Sequence, residues 1–202
     1  MDAFEQFAAD LFWADGYWVR NSVKVDLTRD DKHAIGKPSS PRWEIYLVAY
    51  RPADNVLLAL ECKSYFDSGG VHAAHFLEGA KYAHRYKLFH DPTLRQVVLD
   101  RLKQQFAGAG LCRDDTIVQL GLVYGHATEG SSQRLREIFV AAKWPLYDPG
   151  WLRARICRVA RSSYENSTAA VVAKILLRNP GLDHTQDETG SHHVSGVTND
   201  GG

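Results

Sequence analysis

The chain has 202 residues, and its 24 basic side chains balance 24 acidic ones, so bulk charge will not coat nucleic acid, although a local basic patch stays open. Apolar residues at 45 % and charged residues at 24 % describe a soluble domain able to bury one substantial core. Cys62, Cys112 and Cys157 are widely spaced and form no CxxC, which argues against a disulfide framework or zinc ribbon and fits a reducing compartment.

The opening stretch, MDAFEQFAADLFWADGYW, carries acids where a secretory signal carries basic residues, and no apolar run is long enough to span a bilayer. A cytoplasmic protein without membrane contact is expected. Phe4, Phe7, Ala8, Leu11 and Phe12 recur at helical spacing, and Gly16 supplies a stop. Tyr17 to Leu27 alternates as a strand does. Thr28 to Pro41, with Gly36 and Pro38, reads as a loop. Trp43–Tyr50 and VLLALECKSY (56–65) are strands joined by RPADN, hence a hairpin.

After Gly69-Gly70, residues 71–91 predict a helix ended before Pro92, and TLRQVVLDRLKQQFAGAG a second helix closed by glycines. Thr116 to Ala127 predicts a strand, and SSQRLREIFVAAKW a helix with serine available as N-cap. LRARICRVARSSY suits a strand or a short basic helix, and STAAVVAKILLR a closing helix. From Asn179 the chain is polar and Gly-rich, the composition of a disordered tail. One domain over residues 1–178, with a tail over 179–202, is expected. The element order implies an α/β sandwich around a mixed sheet.

The informative stretch is NVLLALECKSYFDSGG, where an apolar run suited to a strand covered on both faces ends in Glu61-Cys62-Lys63. Period-two geometry puts Glu61 and Lys63 on one face and Cys62 on the other. Pro52 suits an ordinary turn and not a tight primed one, so a four-residue loop is expected, with Arg51 opposite Val56. Tyr46 then falls opposite Glu61 and Glu44 opposite Lys63, and all four share a face. A two-residue slip would place Glu44 opposite Glu61. Either way two carboxylates, a lysine and a phenol converge. Like-charged carboxylates favour a hard divalent cation, and a lysine beside it can stabilise a pentavalent phosphate. The same spacing also suits a cross-strand ion network.

These residues, with the preceding helix FEQFAADLFWADGYWV, resemble the PD-(D/E)xK nuclease superfamily over roughly Phe4 to Phe89. The resemblance implies a restriction-endonuclease-like α/β sandwich, a mixed central sheet flanked by helices, and Mg²⁺- or Mn²⁺-dependent cleavage of DNA. It makes Glu61 a metal ligand and Lys63 the catalytic lysine, with Glu5 as the acid of the first helix. The family usually has an aspartate where this chain has Tyr46, and Glu44 is then the substitute carboxylate. An inactive DNA-binding or protein-interaction module of the same fold is the alternative. Tyr46, Lys81 and Arg85 are expected on the substrate side, and a homodimer is left open. His72, His75 and Glu78, spaced by three, offer a zinc site only if a fourth ligand exists.

Overall fold

The structure, a computed structural model, describes residues 2–39, 42–163 and 166–178. The tail expected over 179–202 lies outside the described residues. Helix α1 (Ala3–Ala14) begins with a reciprocal cap. Asp2 Oδ1 accepts from the Glu5 amide at 2.8 Å, and Glu5 Oε2 accepts from the Asp2 amide at 3.2 Å. Strands β1 (Trp18–Val25), β2 (Trp43–Arg51) and β3 (Val56–Lys63) form an antiparallel meander. Strands β4 (Ile117–Tyr124) and β5 (Leu146–Tyr147) then add in parallel, giving a five-stranded mixed sheet in the order β1-β2-β3-β4-β5. Both parallel connections carry helices, as parallel pairing requires. Helices α3 (Lys87–His90) and α4 (Pro92–Gly108) lie between β3 and β4, and α5 (Ser131–Ala142) between β4 and β5. Helices α6 (Pro149–Arg161) and α7 (Thr168–Arg178) follow the sheet.

Two cores explain why β3 is apolar on both faces. Leu57 and Ala59 pack with Leu94, Val98, Leu102 and Phe106 of α4 and with Leu135 and Phe139 of α5. Leu58, Leu60 and Cys62 pack with Ala8, Leu11 and Phe12 of α1 and with residues of α6 and α7. Each fully buried Leu or Phe side chain stabilises the fold by about 1.5–3 kcal/mol. The hairpin takes the expected register, from Arg51 opposite Val56 to Leu47 opposite Leu60.

Three expectations need correction, and one left open is decided. The stretch Thr28 to Pro41 is not all loop, because Thr28 and Asp31 cap each other and start α2 (Arg29–Ala34). Residues 71–91 are not one helix: they form two 3₁₀ turns, Ala73–Phe76 and Ala83–Arg85, followed by α3. Gly79 interrupts at φ +71°, and the aromatic residues serve a cluster rather than a helical stripe. The Phe76 ring centroid lies 4.5 Å from Tyr86, 5.4 Å from Phe89 and 5.1 Å from Phe139. Helix α5 is preceded by Gly130 at φ +72°, not by a serine cap. The Ser131 hydroxyl instead accepts from the Ala73 amide at 3.2 Å. The stretch beginning at Leu152 is helical, in α6, started by Asp148 accepting from the Trp151 amide.

A further departure lies in β1 and β2. Leu47 and Ala49 face the α1 core, with Val19 beside them, whereas Val23, Val25 and Ile45 face the α4 core. Both strands therefore change parity at Ser22 and Tyr46, where the ladder is interrupted and Ser22 takes φ +51°. Among the described residues no helix is long and apolar enough to cross a membrane.

Candidate active site

The parity change sits at the open end of the hairpin, where the charges of β3 emerge. Lys63 Nζ lies 2.5 Å from Glu61 Oε1, with the two side chains 15 % and 17 % exposed. The ammonium stands 4.8 Å from the centre of the Tyr46 ring and 6.0 Å from that of Tyr86. One carboxylate and two phenol rings thus hold Lys63 in a fixed place, with cation–π attraction adding to the ion pair. Its ion-pair partner is Glu61 of its own strand and not Glu44, so the expected cross-strand network with Glu44 does not form.

Glu44, Tyr46 and Glu61 nevertheless line a single cleft of about 320 Å³, together with Arg42, Arg85 and Lys87. Glu5 reaches the same region from α1. It is buried at 5 % exposure, where a solvated helix residue would be open. Its charge acts on Glu61 and Tyr46. At the kink, Tyr46 also packs against the α1 core, so groups from the two faces of the sheet meet at its end.

Four groups here are held towards their protonated forms. Burial raises the Glu61 carboxyl above its ordinary value; Lys63 opposes this, and Glu5 adds to it. Burial also raises Glu5, with a small contribution from Glu44. Burial would lower Lys63, but the charge and hydrogen bond of Glu61 outweigh it and raise the ammonium. Lys63 pulls the Tyr46 phenol down, and Glu61, burial, Glu5 and Glu44 together push it up. Lys63 and Glu61 shift in the same sense for different reasons: burial leads the rise of Glu61, whereas the charge and hydrogen bond of Glu61 raise Lys63.

Lys81 and Arg85, expected on the substrate side, are brought together. Lys81 Nζ lies 5.5 Å and the Arg85 guanidinium 5.1 Å from the centre of the Tyr82 ring. Arg85 continues into the cleft lining, while Lys81 does not. The His72 and His75 rings lie 4.9 Å apart, but Glu78 is exposed beyond a 3₁₀ turn. Among the described residues no group of three or more His, Cys, Asp or Glu side chains could hold a metal ion. Cys62 is in the core, as its parity implies. His126 is exposed just beyond β4.

The sequence reading missed Arg42, Trp43, His84 and Tyr86. Arg42 and Trp43 immediately precede Glu44, a signal that was available. Tyr86 was not legible, because its position beside Lys63 depends on the non-helical path of residues 71–86. Comparison with protein-family models, curated proteins and solved structures finds no match to this chain.

Proposed function

We propose that the chain is a metal-dependent nuclease of the PD-(D/E)xK kind, hydrolysing phosphodiester bonds of DNA in the cleft at the open end of β2 and β3. The make-up of that cleft carries the reading. Two carboxylates, Glu44 and Glu61, share its lining with three exposed cations, Arg42, Arg85 and Lys87. Cations in a concave wall draw a phosphate, and carboxylates give a hard cation its oxygen donors. The chain order adds support: a helix, three antiparallel strands ending in Glu61-x-Lys63, helices, and a parallel strand.

Magnesium fits this donor set, since it commonly uses one or two carboxylates with waters and substrate phosphate and not an all-protein cage. Glu61 and Glu44 would hold it, with Glu5 adding negative charge from α1, and the bound ion supplies an activated water for attack on phosphorus. The chain itself does the rest. Arg42, Arg85 and Lys87 hold the phosphates that flank the scissile one. Lys63 keeps its proton against Glu61, and its charge meets the negative charge that develops as the phosphorus gains a fifth oxygen. Tyr46 and Tyr86 keep that ammonium in place, so little reorganisation is needed at the moment of reaction.

The test is cleavage of plasmid and single-stranded DNA in Mg²⁺ or Mn²⁺. Activity that chelation stops and Glu61→Gln slows by about 10²- to 10³-fold is expected; wild type that cuts no DNA form in either metal would overturn the reading. Tyr46 favours a second reading, a DNA-binding module without catalysis, because its phenol stands where the family places an acid and covers Lys63. That reading expects DNA binding without cleavage, and Mn²⁺ binding by calorimetry only after Tyr46→Asp.

A further inference from the structure

Beside the cleft lies a larger pocket of about 540 Å³, walled by the rings of Phe4, Phe7 and Phe66, with Asp2 and Ser64 as its polar members. We propose that this pocket receives an unpaired base of the DNA strand, so that the substrate is single-stranded or locally opened DNA. The proposal rests on the reading of the neighbouring cleft as a phosphodiester site.

The pocket and the cleft are linked through Glu5: the amide of Asp2, which lines the pocket, donates to Glu5 Oε2 at 3.2 Å, and the Glu5 charge acts on Glu61, which lines the cleft. Phe66 is 64 % exposed, the one wall ring turned mainly to solvent. Its place is imposed by its surroundings. Tyr65 takes φ +51°, unusual for a bulky residue, and the Phe4 ring meets Phe66 edge-on at 5.8 Å. Gly125 leaves the room: a Cβ there would lie 2.4 Å from the Phe66 ring and 2.8 Å from the Ser64 carbonyl oxygen. An unusual backbone conformation that keeps an aromatic ring at the surface beside a charged cleft fits a ligand-facing role.

A base matches this pocket in three respects. Flat aromatic walls stack a π-face whatever the base. The Ser64 hydroxyl and the Asp2 carboxylate can meet donors and acceptors on the base edge. Charge complementarity decides between occupants. A base brings its phosphates with it, and Arg42, Arg85 and Lys87 stand in the adjoining cleft to take them. An apolar peptide carries no anion for those cations to draw.

The experiment measures fluorescence anisotropy of a labelled single strand, the matching duplex and an abasic strand of equal length, in EDTA at fixed salt. Wild type is expected to bind the single strand at least about tenfold tighter than the duplex or the abasic strand. Phe66→Leu, which keeps apolar bulk but removes stacking, should weaken single-strand binding by about 5- to 150-fold. Duplex binding should be unchanged, and Phe66→Trp should retain the wild-type preference. Arg85→Ala should weaken every DNA form and reduce the salt slope by about one.

If Arg85→Ala weakens binding while Phe66→Leu affects all forms equally or none, the base pocket is overturned and the cleft reading stands. If wild type binds no DNA and Arg85→Ala changes nothing, the cleft reading fails and the pocket proposal falls with it. A wild-type dimer that Phe66→Leu dissociates would assign the pocket to a second copy, again overturning it.

Discussion

The two ends of the β2–β3 hairpin hold polar clusters of opposite character. At the turn, Asn55 sits at φ +53° and its side-chain amide joins three partners. Its Oδ1 accepts from the Tyr50 hydroxyl at 3.1 Å and from Thr116 Oγ1 at 2.7 Å, while Nδ2 donates to Asp115 at 3.0 Å. That last bond leads the contributions that hold the Asp115 carboxyl below its ordinary value, so the ionised form is the satisfied one. At the open end, Glu5, Tyr46, Glu61 and Lys63 are all pushed towards holding protons. A satisfied cluster fixes the fold, whereas a group of buried side chains with shifted proton affinities marks a candidate site. Replacements at the two ends should therefore separate stability from activity.

The largest effect is expected at the open end, in activity. Glu61→Gln should slow DNA cleavage by about 10²- to 10³-fold, the scale of losing one charge-stabilising group in a reaction site. Its melting temperature should fall, because Lys63 is left desolvated without its carboxylate. Replacing the pair together, Glu61→Gln with Lys63→Met, should be neutral or stabilising, by up to about 4 kcal/mol, because both desolvated charges are gone. Thermal melting of the double variant checks this. A drop of many degrees would show that the pair is structural, and would erase the contrast.

The turn should behave in the opposite way. Asn55→Ala removes three hydrogen bonds, strands the buried Thr116 hydroxyl and forces a β-carbon residue without a polar side chain into positive φ. A loss of about 2–4 kcal/mol is expected, each kcal/mol lowering the melting temperature by about 2–4 °C in a chain of this size. DNA affinity should not change. Asn55→Gly should recover about 1 kcal/mol of the loss, since glycine tolerates the dihedral but not the missing bonds. Urea titration of the two variants measures the split.

The same contrast marks what the sequence could disclose. The hairpin register was legible from Arg51–Val56 to Leu47–Leu60, because Pro52 restricts its turn, but the expected pairs Tyr46–Glu61 and Glu44–Lys63 are not in the ladder, which ends where β2 changes parity. The apolar run of β3 likewise announced burial on both faces. Residues 71–91 were not legible: Phe76, Tyr86 and Phe89 mimic a helical stripe, but Phe76 meets both of the others, and Phe76 and Phe89 meet Phe139, along a path of two turns and a short helix. The burial of Glu5 was hidden too, since nothing local says that the first turn of α1 lies over the end of the sheet. Nor does a serine signal the positive φ at Ser22 that changes the parity of two strands. Local turn chemistry was readable; long-range placement was not.

Glu5 sharpens the comparison through pH. Burial leads the contributions that hold its carboxyl above the ordinary value, so the folded chain binds that proton more tightly than the unfolded chain. Its ionisation therefore works against folding at neutral pH, and this is relieved as pH falls through the raised value towards about 4.3. Glu5→Gln keeps an oxygen to accept from the Asp2 amide and loses the charge. It should melt higher than wild type by a few degrees near pH 7, as the loss of roughly 1 kcal/mol of charge burial implies. The gap should close on acidification. A gap that is constant with pH would show that Glu5 acts through packing and not through charge.

Asp31 gives the smallest effect and the reverse sign. Burial would raise its carboxyl, but hydrogen bonds from Arg101 and Thr28 outweigh it and hold the group below its ordinary value. Arg101 Nε lies 2.5 Å from Oδ2 and its Nη2 lies 3.2 Å from Oδ1, while the Thr28 amide donates to Oδ2 at 2.8 Å. Asp31 thus closes the cap of α2 and ties that helix to α4. A lowered value means that the stabilisation is present above the unfolded value of about 3.9 and is lost as pH falls through the folded one. Asp31→Asn keeps one acceptor oxygen, and its pair with Arg101 is partly open to solvent, so a loss of about 1 kcal/mol is expected at pH 7. Wild type should melt above Asp31→Asn at neutral pH, and the difference should vanish in acid. Salt should shrink this gap as well, because the partner guanidinium is 32 % exposed and therefore screened. One series of melts from pH 3 to pH 8 reads both residues. If Glu5→Gln and Asp31→Asn shift in the same direction at neutral pH, the Glu5 carboxylate contributes to folding as the cap carboxylate of Asp31 does.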